Sequence, residues 1–153
     1  MVWEERINFF EIMAQAKKLY SRFLEPVCER WNLNRCELDV LLFLYNNPFY
    51  DRATDVAARR GIAKSHVSLS VANLERRGFL CREYDPGDRR NAHLKVTPAG
   101  MEPAEAGRQA QKIFFDRLHQ GISPEEFAVW KKTTKKVLEN MNGLNGLKPE
   151  AEE

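Results

Sequence analysis

Two adjacent arginines, Arg89 and Arg90, follow a turn-like sequence in the second half of the chain. The turn is predicted at residues 85–88, because its proline presets φ and its glycine permits positive φ. Residues 79–84 and 92–96 have the composition of strands, and the second segment alternates apolar and polar side chains. We therefore predict a β-hairpin whose tip carries two guanidinium groups that extend away from the body of the protein.

A short helix and a longer helix are predicted upstream of the hairpin. The short helix follows Asp51, a suitable N-cap, and ends at Gly61, which favours the left-handed backbone of a helix terminus. In the longer helix, Val67, Val71 and Leu74 recur at steps of four and three, the spacing of one buried face. Two such helices followed by a hairpin indicate a winged helix-turn-helix, in which the second helix lies in a DNA major groove.

The opposite face of the longer helix has the chemistry for DNA contacts. Hydroxyl and amide groups hydrogen-bond to bases or phosphates, and a leucine can contact a thymine methyl group. The predicted major-groove contacts are Ser65, His66, Ser68, Leu69 and Asn73. The predicted phosphate contacts are the cations Lys64, Arg76 and Arg77. An ordinary solvated face is the alternative, and a leucine at an exposed position argues against it.

The charge distribution supports a DNA-binding module. The 153-residue chain has 24 Lys and Arg against 22 Asp and Glu, a net charge of only +2. Residues 52–95 contain ten basic and five acidic residues, so this segment carries +5 and the rest of the chain carries −3. Local positive charge is what phosphate neutralisation requires. A winged-helix module that binds a protein partner is the alternative, and the basic balance favours DNA.

The wing sequence resembles the signature of a known family. Asp88-Arg89-Arg90, five further residues, and Val96-Thr97-Pro98-Ala99-Gly100 are similar to the Asp-x-Arg-x5-Leu-Thr-x-x-Gly pattern of the MarR family of bacterial transcription regulators. Residues 56–62 and 74–80 resemble the two helix-turn-helix blocks of that family. Ala63 stands where the family usually has a serine-type N-cap, so we expect either a cap by Ser65 or a less firmly formed helix start.

The resemblance implies a mainly α fold: a winged helix-turn-helix with a small β-hairpin wing, flanked by N- and C-terminal dimerisation helices. The expected segments are an N-terminal dimerisation helix at 1–33, the DNA-binding lobe at 34–100, C-terminal dimerisation helices at 101–142 and a disordered tail at 143–153. Pro26 is expected to stop or kink the first helix.

The resemblance also implies a mechanism, that of a homodimeric repressor on double-stranded DNA with a pseudo-palindromic site, released by a small amphipathic or phenolic effector. Arg90, beside Arg89, would enter the minor groove, and Asp88 would orient Arg90 through a bidentate ion pair. Candidate wall residues of the ligand pocket are Trp31, Tyr45, Phe49, Tyr50 and Arg52, for which a simple core role is the alternative. Independent support for a dimer comes from the aromatic residues of the end helices, which are Trp3, Phe9, Phe10, Phe114, Phe115, Phe127 and Trp130.

Other classes of function have less support in the sequence. Cysteine redox sensing is an alternative because Cys28 and Cys36 flank the turn between the first two helices, whereas Cys81 has no assigned role. No nucleophile–base pair or glycine-rich phosphate loop is recognisable, and the cysteines and histidines lack zinc spacing, so we expect no enzyme, metal or cofactor. No apolar run is long enough to span a membrane and the N-terminal sequence is unlike a signal peptide, so we expect a cytoplasmic protein without a membrane partner.

Overall fold

The computed structural model describes residues 3–145, with side chains from residue 8 onward. The helices are α1 Trp3–Trp31, α2 Arg35–Asn46, α3 Ala53–Arg60, α4 Lys64–Arg76, α5 Pro98–Leu118 and α6 Pro124–Leu144. Two strands, β1 Leu80–Asp85 and β2 Asp88–Val96, lie between α4 and α5. The chain divides into two compact units, residues 1–116 and residues 117–153. The mainly α fold with one hairpin confirms the predicted winged helix-turn-helix.

The core of the larger unit is built on α2, whose apolar side chains are buried on nearly all sides. Leu38 and Leu41 are fully buried, and Val67 and Leu74 of α4 join the same cluster. The steps of four and three in α4 therefore mark its buried face, as the sequence predicts. Gly61 ends α3 with φ 62°, the left-handed conformation expected at a helix terminus.

The helix starts follow local capping chemistry. Asn34 and Glu37 form a reciprocal capping box at α2, with both bonds at 2.9 Å. The predicted cap of α3 is wrong, because Arg52 occupies the N-cap position and its backbone N–H donates to Asp55 at 3.2 Å. Asp51 lies one residue before the N-cap position, and its carboxylate contacts His93 instead. Helix α4 has Ala63 at its N-cap position and no side-chain cap. Of the two possibilities expected for its start, a cap by Ser65 or a less firmly formed helix start, the structure shows the second.

The hairpin is an antiparallel pair that runs from Leu80↔Val96 to Tyr84↔Ala92, with a register shift before Asp85. A two-residue turn closes it, and the glycine of that turn has φ 82°. Because the turn is this short, β2 begins at Asp88, four residues earlier than predicted. The wing arginines therefore lie in the strand rather than in a loop.

The junction between wing and α5 is tightly packed. Thr97 donates its backbone N–H to Phe79 O at 3.1 Å, and its Oγ1 accepts the Gly100 N–H at 3.2 Å. A Cβ on Gly100 would lie 2.1 Å from Phe79 O, so only glycine fits here. The last glycine of the wing signature thus permits a close backbone approach.

Helix α1 continues through Pro26 to Trp31, so of the stop or kink expected at this proline the stop is wrong. The proline is exposed on α1, and its missing N–H leaves one carbonyl group of the preceding turn without an intrahelical donor. The helix ends at Trp31, and the following Asn32 has φ 50°, a left-handed conformation.

In the smaller unit, Ser123 and Glu126 form a reciprocal capping box at the start of α6. This helix extends to Leu144, slightly past the start of the tail expected at 143–153, and the rest of that tail from residue 146 lies outside the described residues.

Candidate nucleic-acid interface

The outer face of α4 presents a short series of polar side chains and one leucine. Ser65, His66, Ser68 and Leu69 are all exposed, and 62% of the Leu69 surface is accessible. Val67, which lies between them in sequence, is fully buried. The helical period therefore divides α4 into a core face and an outer face, and these four residues share the outer one.

Asn73 is held within the lobe by hydrogen bonds at both ends of its amide. Its Nδ2 donates to Glu37 Oε1 at 3.1 Å, and its Oδ1 accepts a bond from Arg76 Nη2 at 2.7 Å. Glu37 is only 5% exposed, and its other carboxylate oxygen accepts the Asn34 N–H of the α2 capping box. The bond to Glu37 fastens α4 to α2, which favours a structural role for Asn73, and the base contact stays a prediction.

Arg77 ties the end of α4 to the end of α1. Its guanidinium donates to the carbonyl oxygens of Trp31 and Asn32, the latter at 2.7 Å, and lies over the ring of Phe79. These carbonyls lie at the C-terminal end of α1, where no intrahelical donor remains. Lys64, Arg76 and Arg77 are all exposed, so their phosphate contacts stay predictions, and the two carbonyl bonds favour a structural role for Arg77.

The wing carries two exposed arginines, Arg89 and Arg90, at the start of β2. Asp88 does not form the expected bidentate pair with the Arg90 guanidinium. Its Oδ1 instead accepts the backbone N–H of Arg90 at 2.8 Å. The aspartate therefore fixes the main chain of the wing, and the arginine side chain stays at the surface.

His93, which the sequence analysis did not single out, lies between two aspartates. Its Nδ1 is 2.9 and 3.0 Å from the two oxygens of Asp51, and its Nε2 is 3.0 Å from Asp85 Oδ2. The hydrogen bonds to Asp85 and Asp51 raise the pKa of His93 above its ordinary value, and the bond to His93 lowers that of Asp85. No local spacing could reveal this cluster, because Asp51 is 42 residues away from His93.

The five candidate pocket residues do not come together. Tyr45 lines a cavity of about 320 Å³, together with Leu44, Pro48, Asp51, Leu94, Lys95, Val96 and Met101. Phe49 is 93% exposed, and Tyr50 lies under the guanidinium of Arg59 at 3.6 Å. Trp31 lies under Arg30 at 4.4 Å, and Arg52 occupies the N-cap position of α3. Aromatic side chains near each other in sequence thus point to different surroundings.

The three cysteines are free thiols. Burial raises the pKa of Cys28, which outweighs the opposite effect of Arg35 and disfavours the reactive thiolate. Cys36 contacts the His66 carbonyl oxygen at 3.8 Å across the α2–α4 interface. This arrangement fits packing roles better than oxidation sensing.

Within residues 3–145, no group of three or more histidine, cysteine or acidic residues is arranged to hold a metal ion. None of the helices in the described part of the chain is long and apolar enough to cross a membrane.

The lobe is similar in sequence to known regulators. Residues 31–91 match the model of the MarR family, a span that runs from the end of α1 into the wing. The uncharacterised HTH-type transcriptional regulator YkoM of Bacillus subtilis (strain 168) is 28% identical over 123 residues, which are 80% of this chain and 79% of YkoM.

Three solved structures share the fold. A MarR-family transcriptional regulator from Silicibacter pomeroyi has a TM-score of 0.73 at 22% identity, covering 92% of this chain and 90% of its own. The MepR–DNA complex of S. aureus has a TM-score of 0.69 at 19% identity, with 87% and 94% covered. Bordetella bronchiseptica BpsR, whose DNA binding is regulated by 6-hydroxynicotinic acid, has a TM-score of 0.66 at 19% identity, with 85% and 98% covered. With its family match over residues 31–91, its regulator relative and its winged helix-turn-helix, the chain is similar to the MarR family of transcription regulators.

Proposed function

We propose that the lobe binds double-stranded DNA sequence-specifically, with α4 in the major groove and the wing at the adjacent minor groove. The observation that carries this proposal is the outer face of α4, where Leu69 is exposed among hydroxyl groups. Water gives such a leucine no favourable contact, whereas a thymine methyl group would cover it. The DNA bound by MepR, a protein of the same fold, supports this function.

Positive charge supplies the sequence-independent part of the affinity. Lys64 and Arg76 are exposed at the two ends of α4, and Arg89 and Arg90 are exposed on the wing. We assign the first two to phosphates, because they lie at the ends of the helix and outside the polar outer face. Arg90, with Arg89 beside it, is assigned to the minor groove, where narrow A·T-rich segments attract guanidinium groups.

We infer that the working regulator is a homodimer on a pseudo-palindromic site. On α1, Phe10 is 72% exposed and Ile12 is 65% exposed. On α6, Leu138 and Met141 are each more than half exposed. Apolar side chains at this density mark a contact surface on each helix, which a second copy of the chain would bury. Phe114, in contrast, is buried against Tyr20 within the chain and leaves less aromatic surface for a partner than the sequence suggests.

We further infer that the protein is a cytoplasmic repressor released by a small amphipathic effector. The regulation of BpsR by 6-hydroxynicotinic acid supports a ligand of this kind. The cavity of about 320 Å³ beside Tyr45 has the size for a small aromatic molecule. Since its wall includes Leu94 and Val96 of the wing strand, a ligand that binds one wing position more tightly would shift the population toward it.

The experiment for DNA binding starts from a random pool of duplexes. The enriched sequence should be pseudo-palindromic, and its dissociation constant, measured by fluorescence anisotropy, should rise steeply with salt. Arg90→Ala should weaken binding by roughly tenfold to a hundredfold. Arg22→Ala, which removes an exposed arginine of α1 outside the basic segment, is the matched control and should change affinity by less than about twofold.

Failure to enrich any sequence, together with the absence of salt-dependent binding, would contradict this function and favour a winged-helix module that binds proteins. For the effector, a panel of small phenols should weaken DNA binding of the wild type. Met101→Trp, which narrows the cavity, should abolish that response while DNA affinity without effector stays the same.

A further inference from the structure

His93 bridges two carboxylates that belong to different parts of the lobe. Its Nδ1 contacts Asp51 at 2.9 Å, and its Nε2 contacts Asp85 at 3.0 Å. A carboxylate only accepts hydrogen bonds, so both ring nitrogens must carry a proton to satisfy both partners. The geometry therefore selects the imidazolium form of this histidine.

The bridge fastens the wing to the segment before α3. Asp51 precedes the N-cap of α3, Asp85 ends β1, and His93 lies in β2. A second bond, from Leu94 N–H to Asp51 O at 2.7 Å, joins the same strand to the same residue. Because Arg90 is three residues before His93 in β2, the bridge limits the directions that the wing arginine can take.

The charged groups around His93 also favour its cation. Asp51 and Asp85 contact it directly, and Glu83 is its cross-strand partner. Glu83 is neutralised by Lys95 at 2.5 Å, and Arg52 acts on Asp85 from the α3 side. Two carboxylates at hydrogen-bond distance outweigh these more remote cations, so the positive ring is stabilised.

We propose that protonated His93 is a positioning residue for the wing, which makes the DNA affinity of the lobe fall as the pH rises. This inference rests on the proposed DNA-binding function. Neutral His93 can donate from only one nitrogen, so one of its two carboxylate partners is released. The hairpin then gains freedom, and ordering it on DNA costs entropy that the bridged wing does not lose.

The direction of the pH dependence follows from the interactions of His93 in the folded state. Bonds to Asp85 and Asp51 raise the pKa of His93, so the bridge is fully formed below the ordinary histidine range. It is lost as the pH rises through the raised value. Operator affinity should therefore be highest in mildly acidic solution and should weaken by about fivefold between about pH 6 and pH 8.5 at constant ionic strength.

The test measures the dissociation constant for the selected duplex across this pH range. His93→Asn should bind with the weaker, high-pH affinity of the wild type at every pH. His66→Asn, which removes the titratable ring on α4, should keep the pH dependence even where its affinity changes. His93→Arg, a cation with several donors, should restore low-pH affinity without the pH dependence.

Two further measurements keep the outcome clear if a His93 variant folds poorly. The ring nitrogen shifts of wild-type His93 should titrate with a raised pKa, and Asp51→Asn should lower that value. No duplex bound at any pH would contradict the proposed function. Binding with equal affinity across the range, or a pH dependence that persists in His93→Asn, would overturn the positioning role alone.

Discussion

Asp88 holds Arg90 through the main chain, with Asp88 Oδ1 accepting the Arg90 backbone N–H at 2.8 Å. A bond from a side chain to the backbone two residues on is a turn-stabilising interaction, available to Asp and Asn alike. It fixes φ and ψ at the start of β2 and leaves the guanidinium exposed. The wing signature therefore separates two tasks, with one residue shaping the strand and another presenting charge.

The chemistry of this bond predicts a graded response at Asp88. Asp88→Asn keeps an acceptor oxygen in place, so operator affinity should change by less than about twofold. Asp88→Ala removes the acceptor and should weaken affinity by about fivefold, since the Arg90 backbone is no longer fixed. Anisotropy titrations on one duplex would measure both. A large loss in Asp88→Asn would show that the carboxylate charge, rather than the backbone bond, matters.

The two faces of α4 should respond differently to truncation. Leu69→Ala should change the free energy of unfolding by less than about 0.5 kcal/mol and weaken operator binding by about 1 kcal/mol. Val71→Ala, in the core, should reduce stability by about 2 kcal/mol because Val71 is only 2% exposed. Urea unfolding and anisotropy together separate these effects. Equal loss of stability in both variants would contradict an exposed role for Leu69.

Arg76 and Arg77 are adjacent in sequence, yet they should have different phenotypes. Arg77→Ala removes donors from the α1 carbonyls and should lower stability by about 1 kcal/mol with little change in the salt dependence of binding. Arg76→Ala should lower the slope of log affinity against log salt by about 1. A reduced slope in Arg77→Ala would restore that arginine to the phosphate contacts.

The features that could be predicted best from the sequence are those set by residues close together in the chain. The end of α3 at Gly61 and the turn after Asp85 both depend on the backbone preferences of glycine and proline. The buried face of α4 follows from helical periodicity alone. Each of these features is set by neighbours along the chain, so no tertiary information was needed.

What the sequence did not reveal depends on partners far along the chain. Asn73 binds Glu37 across 36 residues, and Arg77 binds the Asn32 carbonyl across 45. A polar side chain on a helix has the same composition whether it faces DNA or a buried carboxylate. Only the packing of α4 on its neighbours reveals the second kind of contact, which is why the sequence could not predict the bonds of Asn73 and Arg77.

The junction of wing and α5 should tolerate no side chain at Gly100. Gly100→Ala would place a Cβ against the Phe79 carbonyl oxygen and should destabilise the lobe by about 2 kcal/mol. Gly143→Ala is the matched control, because nothing lies within 4 Å of its added Cβ on α6. Helix propensity predicts unchanged or slightly raised stability there. Thermal unfolding of both variants checks the prediction, and a neutral Gly100→Ala would contradict the close approach.

The exposed apolar surface of α1 predicts a variant that separates assembly from folding. Phe10 is 72% exposed in the single chain, so Phe10→Asp should leave the helical circular dichroism unchanged. In a dimer that buries this ring, the new charge would lose its hydration, and sedimentation at micromolar concentration should show a shift toward monomer. Phe49→Asp is the matched control, because Phe49 is 93% exposed on the loop between α2 and α3. This variant should remain dimeric.

Operator affinity should fall in Phe10→Asp, since two half-sites would no longer be bound by one particle. A wild-type chain that sediments as a monomer, or a Phe10→Asp chain that stays dimeric, would remove α1 from the proposed contact surface.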